Sequence, residues 1–139
     1  MKNVEIDFVV NDSRVALESY ERIFEVERIE VTELPKGQNE AVFNIYGTRF
    51  HILDENPEYH LIAPKSGTPT SIWFNVVVQD IRETYSKAIA AGCNEIQPVT
   101  EMPEMGAANA MFADPFGYVW MLHQIYRETS FEERMQHMK

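Results

Sequence analysis

The stretch "ADPFGYVWMLHQ", from Ala113 to Gln124, decides how this chain folds and what its site can do. Its first part, "DPFG" at 114–117, predicts a tight turn, because proline presets one turn dihedral and glycine tolerates a positive φ. The part that follows, "YVWML" at 118–122, is rich in strand-favouring residues and predicts a β-strand. A strand that starts at a fixed turn presents alternate side chains to one face of a sheet. The chemistry of that face therefore depends on which residues alternate there.

Composition and charge indicate the broad class of protein. The chain has 139 residues, of which 45% are hydrophobic and 24% charged, as expected for one globular domain. A formal net charge of −10 argues against nucleic acid or an anionic membrane as the main partner. The first residues, "MKNVEIDFVV", contain no long apolar segment, and a single cysteine, Cys93, permits no internal disulfide. We therefore expect a cytoplasmic protein that binds neither nucleic acid nor membrane.

Two pairs of similar segments indicate an internal repeat. The segment "VVNDSR" at 9–14 recurs as "VVQDIR" at 77–82, an offset of 68, and in each an alternating run ends at an Asp that can cap a helix. The segment "YGTRFHIL" at 46–53 matches "FGYVWMLH" at 116–123, an offset of 70. Each half has room for two more strands, predicted at 26–34 and 41–46 and at 95–101 and 107–113. The sequence therefore predicts a β-α-β-β-β unit that occurs twice.

This repeat defines the expected domain organisation. We expect a single domain over residues 1–128, with module one at 1–55, a linker at 56–70 and module two at 71–128. The tail at 129–139 is predicted to form a short helix, because Ser130 and Glu133 are spaced as a capping box.

A doubled βαβββ unit whose last strand follows Asp-Pro-x-Gly resembles the vicinal oxygen chelate superfamily. This group includes glyoxalase I, extradiol dioxygenases, fosfomycin-modifying enzymes and bleomycin-resistance proteins. The stretch "DPFGYVWML" at 114–122 is most similar to the PhnB-like branch. The resemblance implies an α+β fold of the glyoxalase/bleomycin-resistance type, in which each module forms a curved four-stranded sheet around a cleft. It also implies a homodimer, which would cover exposed sheet edges.

Metal-dependent members of the superfamily place one ligand on the first and one on the last strand of each half. Strand alternation puts Glu5 and His51 at these positions in module one, and the repeat offsets carry them onto Trp73 and Met121 in module two. A divalent ion at such a site needs about three nitrogen or oxygen ligands. An indole supplies none, and a thioether is a poor ligand for hard ions. We therefore expect no glyoxalase-type metal site, no cofactor and no glyoxalase I activity.

The same alternation, together with Phe43 as a candidate for an apolar wall, predicts a set of side chains that contact a ligand in the clefts. This set is Glu5, Asp7, Phe43, Arg49, His51, Trp73, Asn75, Met121 and His123.

Several members of this set have two interpretations. Phe43, Trp73 and Met121 could form an apolar wall for a ligand, or they could be ordinary core. Arg49 could anchor a carboxylate or phosphate, or it could pair with a nearby acid. Glu5 and His51 are candidates for acid-base catalysis, although we assign no catalytic residue, because such a pair is also common as a structural contact.

The leading hypothesis is a protein that binds a small organic ligand, cationic or aromatic, without a glyoxalase-type metal. The acidic composition suits a cationic ligand. The rival hypothesis is a lyase, isomerase or dioxygenase that uses the Glu5-His51 pair or a nonstandard metal bound by Glu5, Asp7, His51 and His123. A third possibility is an interaction module whose barrel is filled by side chains.

Overall fold

The computed structural model describes residues 2–65 and 67–138. The chain divides into two compact units, and the division falls between Thr68 and Pro69. Each unit contains one four-stranded sheet.

Unit one contains four strands and one α-helix, followed by a short 3₁₀ turn. In chain order the elements are β1 (Ile6–Val10), α1 (Ser13–Ile23), β2 (Val26–Val31), β3 (Glu40–Ile45), β4 (Thr48–Asp54) and the 3₁₀ turn (Pro57–Tyr59). The strands lie in the order β1-β4-β3-β2. The pair β1 and β4 is parallel, and the other pairs are antiparallel.

Unit two repeats this arrangement and adds a helix at its end. Its elements are β5 (Phe74–Val77), α2 (Ile81–Ala90), β6 (Asn94–Met102), a 3₁₀ turn (Pro103–Met105), β7 (Ala107–Ala113), β8 (Val119–Ile125) and α3 (Phe131–Met138). The strand order β5-β8-β7-β6 is equivalent to that of unit one. The predicted α+β fold of two βαβββ modules is confirmed.

The helices begin where the repeated Asp residues cap them. Asp12 accepts hydrogen bonds from the backbone N–H groups of Arg14 and Val15 at 3.1 and 3.2 Å. Asp80 accepts one from the N–H of Glu83 at 3.1 Å. These bonds satisfy donors that a helix N-terminus otherwise leaves free. Each helix then follows directly from the first strand of its unit, as the repeat predicts.

Strand β2 ends at Val31, whereas the sequence predicted that it would continue to residue 34. Asn39 is buried, and its side chain accepts a hydrogen bond from Leu34 N–H and donates one to the Leu34 carbonyl, each at 2.7 Å. The Asn39 side chain thus forms the hydrogen bonds with the Leu34 backbone that a neighbouring strand would otherwise form. The chain turns here and does not continue the strand.

The turn at 114–117 is joined to strand β8 by one carboxylate. Asp114 accepts hydrogen bonds from the backbone N–H groups of Phe116 and Tyr118 through Oδ1, each at 2.9 Å. Its Oδ2 accepts a hydrogen bond from Trp120 Nε1, also at 2.9 Å. Asp114 and Trp120 are both fully buried, and Gly117 has the positive φ of 98° that the turn requires. The turn and the orientation of Trp120 are therefore fixed together.

Each sheet has two edge strands, β1 and β2 in unit one and β5 and β6 in unit two. The homodimer expected from such edges stays a prediction. Among the described residues, no helix has the length and apolar character needed to cross a bilayer.

The Asp114–Trp120 bond can be tested with a double-mutant cycle. Asp114→Asn should lower the free energy of unfolding by about 2 kcal/mol, because an amide N–H₂ must then face buried N–H donors. In a Trp120→Phe background we expect the same substitution to cost about 1 kcal/mol less, since the indole donor is gone. Urea unfolding followed by circular dichroism measures both values.

The control is Asp12→Asn, which changes the N-cap of α1 in unit one. Its effect on the free energy of unfolding should add to that of Trp120→Phe without coupling. If Asp114→Asn and Trp120→Phe are also additive, the bond does not link the turn to the strand.

Candidate functional site

Strand alternation in unit one places its polar residues on the face opposite α1. The parallel register of β1 and β4 sets Asp7 beside His51. On the same strand Phe50 and Ile52 are buried. Phe50 contacts Phe8 and Phe43 on the helix side, so His51 lies on the other face. This face is the one for which the sequence predicted ligand contacts.

Three carboxylates converge on the imidazole of His51. Its Nδ1 lies 3.1 Å from Glu5 Oε1 and 3.3 Å from Asp7 Oδ2. Its Nε2 lies 3.3 Å from Glu40 Oε1. We call Glu5, Asp7, Glu40 and His51 the acidic cluster. Arg49, on the same strand as His51, donates from Nε to Glu5 Oε2 at 2.8 Å.

The two carboxylates nearest His51 Nδ1 differ in their protonation. The pKa of Glu5 is lowered to about 2, mainly by the hydrogen bond from the Arg49 guanidinium and to a smaller extent by Asp7 and His51. The pKa of Asp7 is raised above its usual value, mainly by partial burial and to a smaller extent by the adjacent Glu5 carboxylate. Glu5 therefore stays ionised at any physiological pH, and Asp7 is the member of the pair that takes up a proton first.

The ring of His51 retains one unused nitrogen. Nε2 is buried and makes no hydrogen bond with any described residue, although the Glu40 carboxylate is near. A buried polar atom normally has a partner, so this nitrogen can still accept or donate a bond. The side chain of His51 is 16% exposed, while those of Asp7 and Glu40 are about half exposed. The cluster is therefore open to a ligand on its carboxylate side.

The acidic cluster also has the donor types of a metal site. Glu5, Asp7 and His51 each offer one ligand atom, and the three atoms lie within 4.8 Å of one another. Two carboxylates and an imidazole suit a divalent ion. The Arg49 guanidinium opposes such an ion, because it already occupies one oxygen of Glu5 and carries positive charge.

In unit two, Trp73 and Met121, the residues predicted at ligand positions, provide no such donors. Met121 on β8 pairs in register with Asn75 on β5, and the neighbouring strand residue Trp120 faces the buried side. Trp73 lies directly before β5 and is 51% exposed. His123 follows Met121 on the same face of β8. Within the part of the chain that the structure describes, unit two contains no group of three ligand atoms like that of unit one.

The expected position of Phe43 in the cleft is wrong. Phe43 is fully buried, and its ring lies 5.8 Å from that of Phe50 and 6.2 Å from that of Tyr20 on α1. It therefore belongs to the core beneath the helix. The neighbouring Val42 is also buried, so the apolar run at 41–43 shows no alternation from which its facing could be deduced.

Glu40 was missed in the sequence. The predicted strand began at Ala41, whereas β3 begins at Glu40 and pairs it with Leu53 of β4. Extending the strand by one residue would have placed Glu40 on the face of His51, because alternate residues of β3 share a face.

Comparison with known proteins agrees with this architecture. The model of the glyoxalase/bleomycin resistance protein/dioxygenase superfamily matches residues 4–122. The chain therefore belongs to this superfamily.

Relatives and solved structures extend the comparison. An uncharacterized protein of Mycobacterium bovis is 28% identical over 131 residues, covering 90% of this chain and 84% of that protein. The fosfomycin resistance protein FosX of Listeria monocytogenes, solved with Mn(II) and sulfate, has a TM-score of 0.69 at 18% identity and covers 99% of this chain and 98% of its own. TioX of Micromonospora has a TM-score of 0.64 at 18% identity, covering 93% and 100%. These structures share the fold.

Proposed function

We propose that this protein is a PhnB-like member of the superfamily that binds a small cationic organic molecule at the acidic cluster, without a glyoxalase-type metal. The observation that carries the proposal is the convergence of three carboxylates on His51. The fold itself does not separate binding proteins from enzymes, so the argument depends on the site.

The charge balance of the cluster favours a cation. Arg49 pairs with Glu5, one of the three acids, whereas Asp7 and Glu40 have no guanidinium or ammonium partner among the described residues. The carboxylates of Asp7 and Glu40 are about half exposed, so an ammonium group can reach their oxygens. A charged hydrogen bond of this kind is stronger than a neutral one.

The donors present at the family's metal positions support the metal-free form of the proposal. FosX of Listeria monocytogenes is recorded with Mn(II). This chain carries Trp73 and Met121 at two of the four positions that metal-dependent members use. An indole and a thioether do not fit a hard divalent ion there.

Titration calorimetry with benzylammonium and with spermidine tests the proposal. Glu5→Gln combined with Asp7→Asn should weaken binding about tenfold or more, because both carboxylates beside His51 lose their charge. Arg49→Gln should strengthen binding about twofold to tenfold, because it removes a cation that competes for Glu5.

The matched control is Glu30→Gln combined with Glu33→Gln, which removes two exposed carboxylates from the same unit. If this control weakens binding as much as the cluster variant, the effect is one of net charge and the proposed site is wrong. Binding that Arg49→Gln also weakens would contradict the proposal.

A second candidate is an enzyme of the lyase, isomerase or dioxygenase type with a nonstandard metal held by Glu5, Asp7 and His51. The specific observation in its favour is that their three ligand atoms lie within 4.8 Å of one another. A bound divalent ion would polarise an oxygen of the substrate. The orienting groups of the chain would then be Arg49, which holds Glu5, and Glu40 beside the free nitrogen of His51.

Calorimetric titration with Mn²⁺ separates the two candidates. The metal-free proposal predicts a dissociation constant no tighter than about 1 mM, since three ligands and an adjacent guanidinium make a poor site. The enzyme candidate predicts stoichiometric binding at micromolar concentration that His51→Gln abolishes. That result would favour the enzyme candidate over the metal-free binding protein.

A further inference from the structure

Unit two contains a cavity that the proposed function does not use. Its volume is about 590 Å³, within the range typical of small-molecule sites. Its apolar surface comes from the end of β6, the 3₁₀ turn, and strands β7 and β8. These residues are Met102, Met105, Ala107 and Ile125. All of them belong to unit two, whereas the acidic cluster lies in unit one.

Arg127 is held at the wall of this cavity by backbone oxygens. Its guanidinium donates to the carbonyls of Pro103 and Glu104 at 3.5 and 3.2 Å. Its stem covers Gly106, where an added Cβ would lie 2.5 Å from Arg127 Cγ. Glycine is therefore needed for this close approach. The carboxylate nearest to the guanidinium is that of Glu133, at 3.5 Å.

Arg134 brings a second guanidinium to the same cavity from α3. It donates to the carbonyl and hydroxyl oxygens of Thr129, which are neutral groups. No carboxylate of residues 2–65 or 67–138 forms an ion pair with it. In a chain with a net charge of −10, this is a positive charge left uncompensated beside an apolar surface.

Two guanidiniums and one carboxylate line the cavity. The guanidinium of Arg127 pairs with Glu133, whereas that of Arg134 forms no ion pair with a described residue. The lining carboxylate, that of Glu128, is exposed and also forms no ion pair with a described residue. The cavity therefore combines an apolar surface with one unpaired guanidinium at its side.

We propose that this cavity binds an amphipathic organic anion, with one carboxylate on an aliphatic body. The carboxylate pairs with the guanidinium of Arg134, whose planar donors match its two oxygens. The aliphatic body packs on Met102, Met105 and Ile125, and methionine adapts to ligands of varied shape. The proposal does not depend on the function proposed for unit one.

Octanoate is the probe, followed by NMR of the whole chain labelled with ¹³C at the methionine methyl groups. We expect saturable shifts of the Met102 and Met105 methyl signals. Arg134→Gln should weaken octanoate binding about fivefold or more, because it removes the paired charge. Glu128→Gln should strengthen binding about twofold or more, because it removes the opposing carboxylate. Octylammonium, with the same body and the opposite charge, should bind at least tenfold more weakly.

Arg14→Gln is the matched control, since it removes an exposed guanidinium from unit one and should leave octanoate binding unchanged. Equal affinity for octanoate and octylammonium, or no response to Glu128→Gln, would overturn the proposal even if Arg134→Gln failed to fold. Shifts confined to other methionines would also overturn it. Benzylammonium should not move the Met102 and Met105 signals, which keeps this test separate from that of the acidic cluster.

Discussion

The carboxylate of Asp114 fixes the last strand of unit two, and the chemistry of that unit follows from it. It accepts hydrogen bonds from two backbone N–H groups and from Trp120 Nε1, and these bonds hold the turn and the indole in one arrangement. With Trp120 turned to the core, alternation leaves Met121 on the opposite face. Met121 is the residue that the repeat offset predicts at a ligand position of metal-dependent members. A constraint that stabilises the fold thus also determines the face on which the thioether of Met121 lies.

In unit one, the same alternation collects ionisable groups. The ion pair of Glu5 with Arg49 keeps one carboxylate charged, while Asp7 beside it takes up a proton more readily. Both carboxylates lie near Nδ1 of His51, while Nε2 of the same ring makes no hydrogen bond with a described residue. This arrangement can attract an organic cation, whose ammonium needs only hydrogen-bond acceptors. It is less suited to a metal ion, which needs ligands at fixed distances and gains nothing from an adjacent guanidinium.

Much of the fold could be predicted from the sequence, because the repeated Asp caps and Asp-Pro-Phe-Gly turn mark the element boundaries directly. The facing of Glu5, Asp7 and His51 followed from clear alternation in β1 and β4. Phe43 was misplaced because β3 is buried at consecutive residues, and Glu40 was missed because the strand was started one residue late. The cavity beside α3 could not be predicted, since it depends on how Arg127 covers Gly106 and how Arg134 meets Thr129. Local patterns do not encode such tertiary contacts.

The central claim is that binding at the acidic cluster needs no metal. Its most direct test is elemental analysis of protein from cells supplied with manganese, zinc, nickel and iron, combined with benzylammonium titration of the same sample with and without a chelator. The account predicts less than about a tenth of an equivalent of metal, because the donors fall short of a complete site, and the same benzylammonium affinity in both samples. About one equivalent of a single metal, lost together with benzylammonium binding in the chelator, would contradict it.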